Sequence, residues 1–253
     1  MSKRRQQQNN TRRIKQIENN ERAVLEYKEN QPRFAPLRPR SPTQKAYLDT
    51  LEVKRLTFTI GPAGTGKTFL STSYAVEKFQ RQEIKKIVIT RPMVGCDEEV
   101  GFLPGDELEK FSAWLGPFMD VLEGKLGKRN VAKYMNNGDI IAKPLSFMRG
   151  STFRDSFIIL DEAQNTTPGQ MKMFLTRLGE GSKAVVMGDI EQTDLDLRKY
   201  PITGLQEVVE LFNETATIGL FEFFDKDITR DPLVREVLQV YRNRGNLPQC
   251  KVA

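Results

Sequence analysis

Beginning at residue 56, short apolar and β-branched runs alternate with stretches of helical period. The runs are LTFTI (56–60), KKIVIT (85–90), DIIAK (139–143), SFIIL (156–160), KAVVMG (183–188) and TATIGLFEF (215–223). Runs this short and this continuously apolar predict strands covered on both faces, as in a parallel sheet. The segments between them are long enough for crossover helices. Two helix starts are marked by an N-cap residue followed by proline. Thr167-Pro168 precedes Met171, Phe174, Leu175 and Leu178 on one face, with Gly179 as the stop. Asp231-Pro232 precedes Leu233, Val234, Val237, Leu238 and Tyr241. No internal repeat is present. The expected fold is α/β, a mostly parallel central sheet with helices on both faces.

The first forty residues break this pattern. They hold 11 Lys or Arg against 4 Asp or Glu, a balance of +7, while residues 41–253 hold 28 against 29, or −1. Few apolar residues and three prolines (Pro32, Pro36, Pro39) predict a flexible basic tail, residues 1–40, ahead of one domain, residues 41–253. A solvated tail, electrostatic attachment to nucleic acid and contact with a neighbouring subunit are all compatible with it.

No apolar run reaches the roughly 20 residues of a membrane span, and the basic N-terminus lacks an apolar segment behind it, so a cytoplasmic protein is expected. Cys96 and Cys250 have no CxxC partners, which points away from a disulfide framework or a zinc site. Histidine is absent. Chemistry must therefore run on carboxylates, lysine, arginine and amides.

The stretch TFTIGPAGTGKTFL supplies a phosphate cradle. Gly61-Pro62-Ala63-Gly64-Thr65-Gly66-Lys67-Thr68 fits GxxxxGK[ST], the Walker A pattern, and follows a strand and opens a helix, continuing into Phe69. Glycines let the backbone curl its N–H groups toward phosphates, and the helix N-terminus adds partial positive charge. Lys67 is expected to reach the β- and γ-phosphates of ATP, and Thr68 to give a hydroxyl to Mg²⁺.

A strand that runs straight into two carboxylates, FIILDEAQN (157–165), then makes chemical sense. Asp161 is placed to hold the metal through water and Glu162 to polarise the attacking water, the Walker B arrangement. Gln164 and Asn165 follow as the start of a link from hydrolysis to whatever the protein grips.

The motifs SPTQKAYL, GPAGTGKT, ITRPMV, EVGFLPGDELEK, PLSFMRGSTF, FIILDEAQNTTPGQMKMFLTRLGEGSKAVVMGDIEQTDL and DITRDPLVREVL, in that order, resemble PhoH-like proteins over residues 41–245. The size is similar to the short, stand-alone, phage-type version. The resemblance implies a RecA-like P-loop NTPase fold, ATP binding and hydrolysis, and likeness to a superfamily 1 helicase motor domain, with RNA or single-stranded nucleic acid as the partner. It implies that Gln44, 17 positions before Gly61, reads adenine, and that Gln192 in VVMGDIEQ senses the γ-phosphate or attacking water beside Asp189. It also sets Thr90 and Arg91 facing nucleic acid. The family commonly has Arg-His-Pro-Leu-Val where this chain has Arg230-Asp231-Pro232-Leu233-Val234; the arginine is kept and the histidine is not.

Phosphoryl transfer is fast when an arginine meets the γ-phosphate charge. One motor domain leaves two options: slow turnover, or an arginine supplied in trans by a neighbour in a homo-oligomer. A hexameric ring is expected, with Arg230, Arg177 and Arg149 as candidate donors, in that order. Other residues are expected to serve the fold. The acidic run CDEEVGFLPGDELEK is read as a solvated loop and helix start rather than a metal site, and Trp114 and Phe118 as core or interface rather than a stacking platform. A small-molecule kinase, or an ATP-gated scaffold with little turnover, are the competing function classes.

Overall fold

The computed structural model describes residues 36–93, 114–212, 214–229 and 233. Arg230, the Asp231-Pro232 helix start, the acidic run after Cys96, Cys250 and most of the basic tail lie outside the described residues.

Six strands form one sheet: β1 Leu56–Ile60, β2 Lys86–Thr90, β3 Ile140–Ala142, β4 Ser156–Leu160, β5 Lys183–Gly188 and β6 Ile218–Glu222. Their order is β3-β2-β4-β5-β1-β6, and every pairing is parallel. All six expected strands are found, some with trimmed ends. Residues 215–217 turn instead of extending the strand, because Thr215 Oγ1 accepts from Ile218 N (3.0 Å); Thr217 O still accepts from Arg55 N (2.9 Å) at the start of the β1 pairing.

Period-two alternation divides the strand residues between two cores. Ile87, Ile89, Phe157, Ile159, Val185 and Met187 face one side, and Phe58, Val88, Ile158, Leu160, Ala184 and Val186 the other. The first face is covered by α1 (Pro42–Val53), α2 (Lys67–Gln80), α3 (Gly116–Leu126) and α4 (Lys128–Asn137). The second is covered by α5 (Pro168–Leu175), α6 (Gly204–Leu211) and the 3₁₀ turn Leu145–Met148. The protein is thus the expected α/β sandwich with helices on both faces. No helix among the described residues is long and apolar enough to cross a membrane.

Local chemistry explains the helix starts. The Thr167 side chain caps Gln170 N and Gln170 returns a bond to Thr167 N, a full capping box ahead of Pro168. Ser41 caps α1 before Pro42 by accepting from Gln44 N alone, because the Gln44 side chain accepts from Arg40 N instead. One expected end moves: α5 stops at Leu175, one turn short of Gly179. Gly179 has a different task. It donates to Phe153 O at 2.7 Å, and a Cβ on it would lie 2.4 Å from that same oxygen. The glycine permits close approach of two chain segments.

Contacts of the body reach back into the segment expected as tail. Leu37 packs against the first core and donates its N–H to Glu77 Oε1 at 2.5 Å.

Candidate functional site

The sheet gathers the candidate chemistry at the C-terminal ends of its strands, where open α/β sheets bind ligands. The loop after β1 enters α2 through three glycines of positive φ: Gly61 (137°), Gly64 (86°) and Gly66 (93°). Gly61 is the tightest, since an added Cβ would meet Phe223 O at 2.3 Å. Thr65 is buried and donates to Pro62 O at 3.1 Å, and Thr229 donates its N–H to Gly64 O at 3.0 Å. Together these bonds hold the loop open. Lys67 Nζ donates to Gly61 O (2.6 Å) and Pro62 O (2.9 Å). Burial lowers its pKa, opposed by Asp189, Asp161 and Glu162.

A cavity of about 440 Å³ opens above this loop. Its walls include Ala63 through Phe69, Asp161, Glu162, Gln164, Asp189 and Gln192, with Asp120 and Pro117 from α3. Most of the residues singled out in the sequence therefore share one space. Gly61 and Pro62 lie at a neighbouring cavity of about 950 Å³ that also contains Asp189 and Glu222.

How two adjacent carboxylates reach one cavity is settled by backbone geometry. In an extended strand, neighbouring side chains point to opposite faces. Glu162 instead takes φ 51°, ψ 40°, a left-handed conformation that ends β4 abruptly. Such a conformation costs a non-glycine residue about 1 kcal/mol, and strain of this kind concentrates at functional sites. The Asp161 N–H donates to Thr90 O at 3.0 Å, fixing the strand end before the turn.

Gln164 is the side chain of this cavity whose contacts the sequence did not announce. Buried at 3% exposure, it donates from Nε2 to Glu162 Oε2 at 2.5 Å and accepts Asp189 N–H on Oε1 at 3.1 Å. One amide thus ties the carboxylate after β4 to the loop after β5. Asn165 extends the link: its Nδ2 donates to Asp194 Oδ2 (3.1 Å), and its Oδ1 accepts Asp194 N–H (2.8 Å). A glutamine two residues past an acid carries no sequence signal for this, because the contact exists only once Glu162 turns.

Burial, then the charge of Glu162, push the Asp161 carboxyl up to about 6. The sign follows from linkage. A carboxyl whose pKa is higher folded than unfolded binds more protons in the native state, so stability falls as pH rises from about 4 to about 6. Asp161→Asn removes the buried charge. In the metal-free protein it is expected to raise the melting temperature at pH 7 by several degrees and to have no such effect at pH 4, as read by thermal unfolding at both pH values. Equal effects at the two pH values would contradict the assignment.

The remaining candidates are placed as follows. Gln44 is buried, not solvent-facing: its Oε1 accepts Arg40 N–H at 2.9 Å, and its Nε2 lies 3.5 Å from where a Gly66 Cβ would stand. Thr90 is buried at the end of β2, next to β4, and its Oγ1 has no hydrogen-bond partner. Arg91 lies over the Trp114 ring at 4.7 Å. Phe118 joins the first core, while Trp114 is half-buried. Arg177 is engaged within its own chain, donating to Ser151 O (3.2 Å) and Met173 O (3.3 Å). Arg149 is exposed.

A parallel sheet with a glycine loop entering the helix after its first strand, and an acid at the end of the strand two places across, defines a RecA-like P-loop NTPase fold. The chain belongs to the PhoH-like protein family, whose model matches residues 36–242. It is 44% identical over 205 residues to a PhoH-like protein of Bacillus subtilis (81% of this chain, 64% of the relative). It is 43% identical over 205 residues to one from Mycobacterium tuberculosis H37Rv (81% and 58%), and 40% identical over 209 residues to Protein PhoH of Escherichia coli K12 (82% and 58%). The chain thus spans about three fifths of the length of these relatives. Among solved structures, it is similar to the Pif1 helicase of Candida albicans (TM-score 0.40, 17% identity, 84% of this chain and 46% of that one). It is also similar to the SWI2/SNF2 ATPase core of Sulfolobus solfataricus, solved with double-stranded DNA (TM-score 0.43, 13% identity, 86% and 57%).

Proposed function

We propose that the protein binds and hydrolyses ATP with Mg²⁺ and uses the cycle to act on RNA or another single-stranded nucleic acid. The observation that carries this reading is the convergence of the glycine loop, Lys67, Thr68, Asp161, Glu162 and Gln192 on one cavity. The residues fit these groups: the positive-φ glycines leave a cradle free of side chains, and the half-buried Lys67 lies among three carboxylates and two carbonyls. The Thr68 hydroxyl and Asp161 would hold Mg²⁺, an ion usually bound by one or two protein ligands together with phosphates and water. When bound, the ion neutralises phosphate charge.

The chain's own groups supply the rest. Backbone N–H groups of residues 63–68 orient the phosphates, Lys67 moves from the loop carbonyls onto them, and Phe69 continues the helix behind. Glu162 takes a proton from the attacking water while Gln164 holds its carboxylate in place. Gln192 senses the γ-phosphate from the loop after β5, and Gln44 reads adenine beside Gly66. Of the pair expected at nucleic acid, Arg91 faces the single strand at the end of β2, while Thr90 is buried behind it.

The completing arginine comes from a second subunit in a homo-oligomer, with a hexameric ring as the favoured assembly. Arg177 is already engaged in its own chain, which leaves Arg149 and Arg230 as donors, and Arg230 lies outside the described residues. The cytoplasm is the expected compartment. ATP turnover with and without single-stranded RNA or DNA, alongside solution mass under Mg²⁺ and ATP, tests the reading. Nucleic-acid-stimulated hydrolysis by an assembly supports it; turnover coupled only to a small phosphate acceptor overturns it in favour of a kinase.

The basic tail gives a separate prediction. Because Leu37 packs on the body, the informative deletion is residues 1–35, which carry 9 Lys or Arg against 4 Asp or Glu. Removing them is expected to weaken nucleic-acid binding and flatten its dependence on salt, since fewer counterions are released. An unchanged slope in a salt titration would assign the tail no part in binding.

A further inference from the structure

Charge and aromatic exposure are distributed unevenly along the edge of the sheet. After β4, β5 and β6 come Asp161, Glu162, Asp189, Glu191 and Asp225. The β3 side is the opposite. Residues 140–154 hold Lys143, Arg149 and Arg154 and no carboxylate, and residues 163–179 hold Lys172 and Arg177 and no carboxylate. These two segments pack on each other through the second core, which includes Leu145, Met148, Met171 and Phe174. Bounded by Asp139, Asp155, Glu162 and Glu180, these two segments carry only basic charge within them, in a body whose overall balance is −1.

A large aromatic side chain lies in the middle of the first segment. Phe147, in the 3₁₀ turn Leu145–Met148, is 43% exposed, although its neighbours Leu145 and Met148 are buried at 1% and 0%. The turn that presents it is firmly held: Phe147 N donates to Pro144 O (3.0 Å), Leu145 N to Arg91 O (3.0 Å), and Arg177 Nη1 to Ser151 O (3.2 Å). Burying Leu145 and Met148 fixes the turn, and the fixed turn holds Phe147 outward. Arg149 is exposed two residues on, and the Arg91–Trp114 stack stands where β2 ends.

We propose that Phe147 is a base-stacking platform for single-stranded nucleic acid, with Arg149 and Arg91 meeting the phosphates, a use of Arg149 that leaves Arg230 as the arginine supplied in trans. A rigidly presented aromatic ring flanked by cations and free of carboxylates fits the chemistry of a single strand, whose unpaired bases offer π-faces and whose backbone offers regular negative charge. A bare phosphate ligand would not need the ring, and a duplex keeps its base faces covered. The platform rests on the nucleic-acid reading above and gives it a specific contact. It also lies on a short backbone route to the catalytic acids, since Leu145 N bonds Arg91 O and Asp161 N bonds Thr90 O.

The test uses the full chain and a fluorescein-labelled oligothymidylate, with an oligouridylate and a duplex of the same length as further probes. Binding is followed by anisotropy and by quenching of Trp114, the single tryptophan. Phe147→Ala is expected to weaken single-strand binding roughly tenfold, the scale of losing one stacked base. Phe147→Tyr should retain binding, and Phe224→Ala, which removes another exposed aromatic, should leave the affinity unchanged. Arg149→Ala is expected to lower the salt slope by about 0.7, one phosphate contact on a single strand. If the parent chain binds single strands and Phe147→Ala binds them equally well, the platform is wrong while the nucleic-acid reading survives. If the parent binds no single strand, both fall together.

Discussion

Glu162→Gln is expected to bind ATP as the parent does and to hydrolyse it about a thousandfold more slowly, within the range of one lost general base. The substitution isolates proton transfer. Glutamine keeps the length of the side chain, and its carbonyl oxygen can still accept the Gln164 Nε2 hydrogen bond that the carboxylate accepts at 2.5 Å. The left-handed backbone at residue 162 faces the same strain with either side chain. What disappears is the ability to take a proton from water. The measurement is phosphate release beside equilibrium binding of a fluorescent ATP analogue. Turnover retained at the parent rate would remove Glu162 from the role of base and point to a different acid along the cavity, Asp189 first.

Gln164 sharpens that experiment, because it fixes the carboxylate in one direction and the loop after β5 in another. A carboxylate that is merely near the cavity and one that is held there differ in how far its orientation survives thermal motion. The amide bridge converts the first into the second.

The sequence exposed the sheet and the phosphate loop because both depend on local signals. Buried parallel strands are continuous apolar runs, so all six could be read, with their ends off by a few residues where turns such as Thr215–Thr217 take over the backbone bonds. The cradle is contiguous in sequence, as is the acidic pair. What stayed hidden depends on contacts between distant segments or on a single unusual dihedral. That both carboxylates share a cavity follows from the φ of Glu162, which no residue pattern announces. The work of Gly179 was misread as a helix stop because its real constraint, the Phe153 carbonyl, is 26 residues away in sequence. The Ser41-Pro42 start of α1 repeats the N-cap and proline device of Thr167-Pro168, yet it is not among the two helix starts read from the sequence. Its consequence, a buried Gln44 beside Gly66, needed the packing of α1 on the loop.

Gly61→Ala is the substitution expected to harm the fold most at the site, and the reason is steric. At φ 137° an L residue is strained whatever surrounds it, a cost of about 1–3 kcal/mol. The added Cβ would also lie 2.3 Å from Phe223 O and 2.9 Å from Phe223 Cβ. Neither atom can move freely. Phe223 is 1% exposed, donates its N–H to Ile60 O at 2.9 Å, and packs its ring against Tyr47 and Phe221 at about 5 Å. Relieving the clash means parting β6 from β1, with an overpacking cost of another 1–3 kcal/mol or so. At roughly 2–4 °C per kcal/mol for a domain of this size, the melting temperature should fall by about 10 °C. Gly116→Ala serves as the control, because an added Cβ there meets nothing within 4 Å and alanine favours the helix it opens. Thermal unfolding of the two variants side by side decides the matter: a Gly61→Ala protein that melts with the parent would mean that β6 does not press on the phosphate loop. The predicted asymmetry between the two glycines comes from one contact, the loop that would cradle phosphate resting against the edge strand of the sheet.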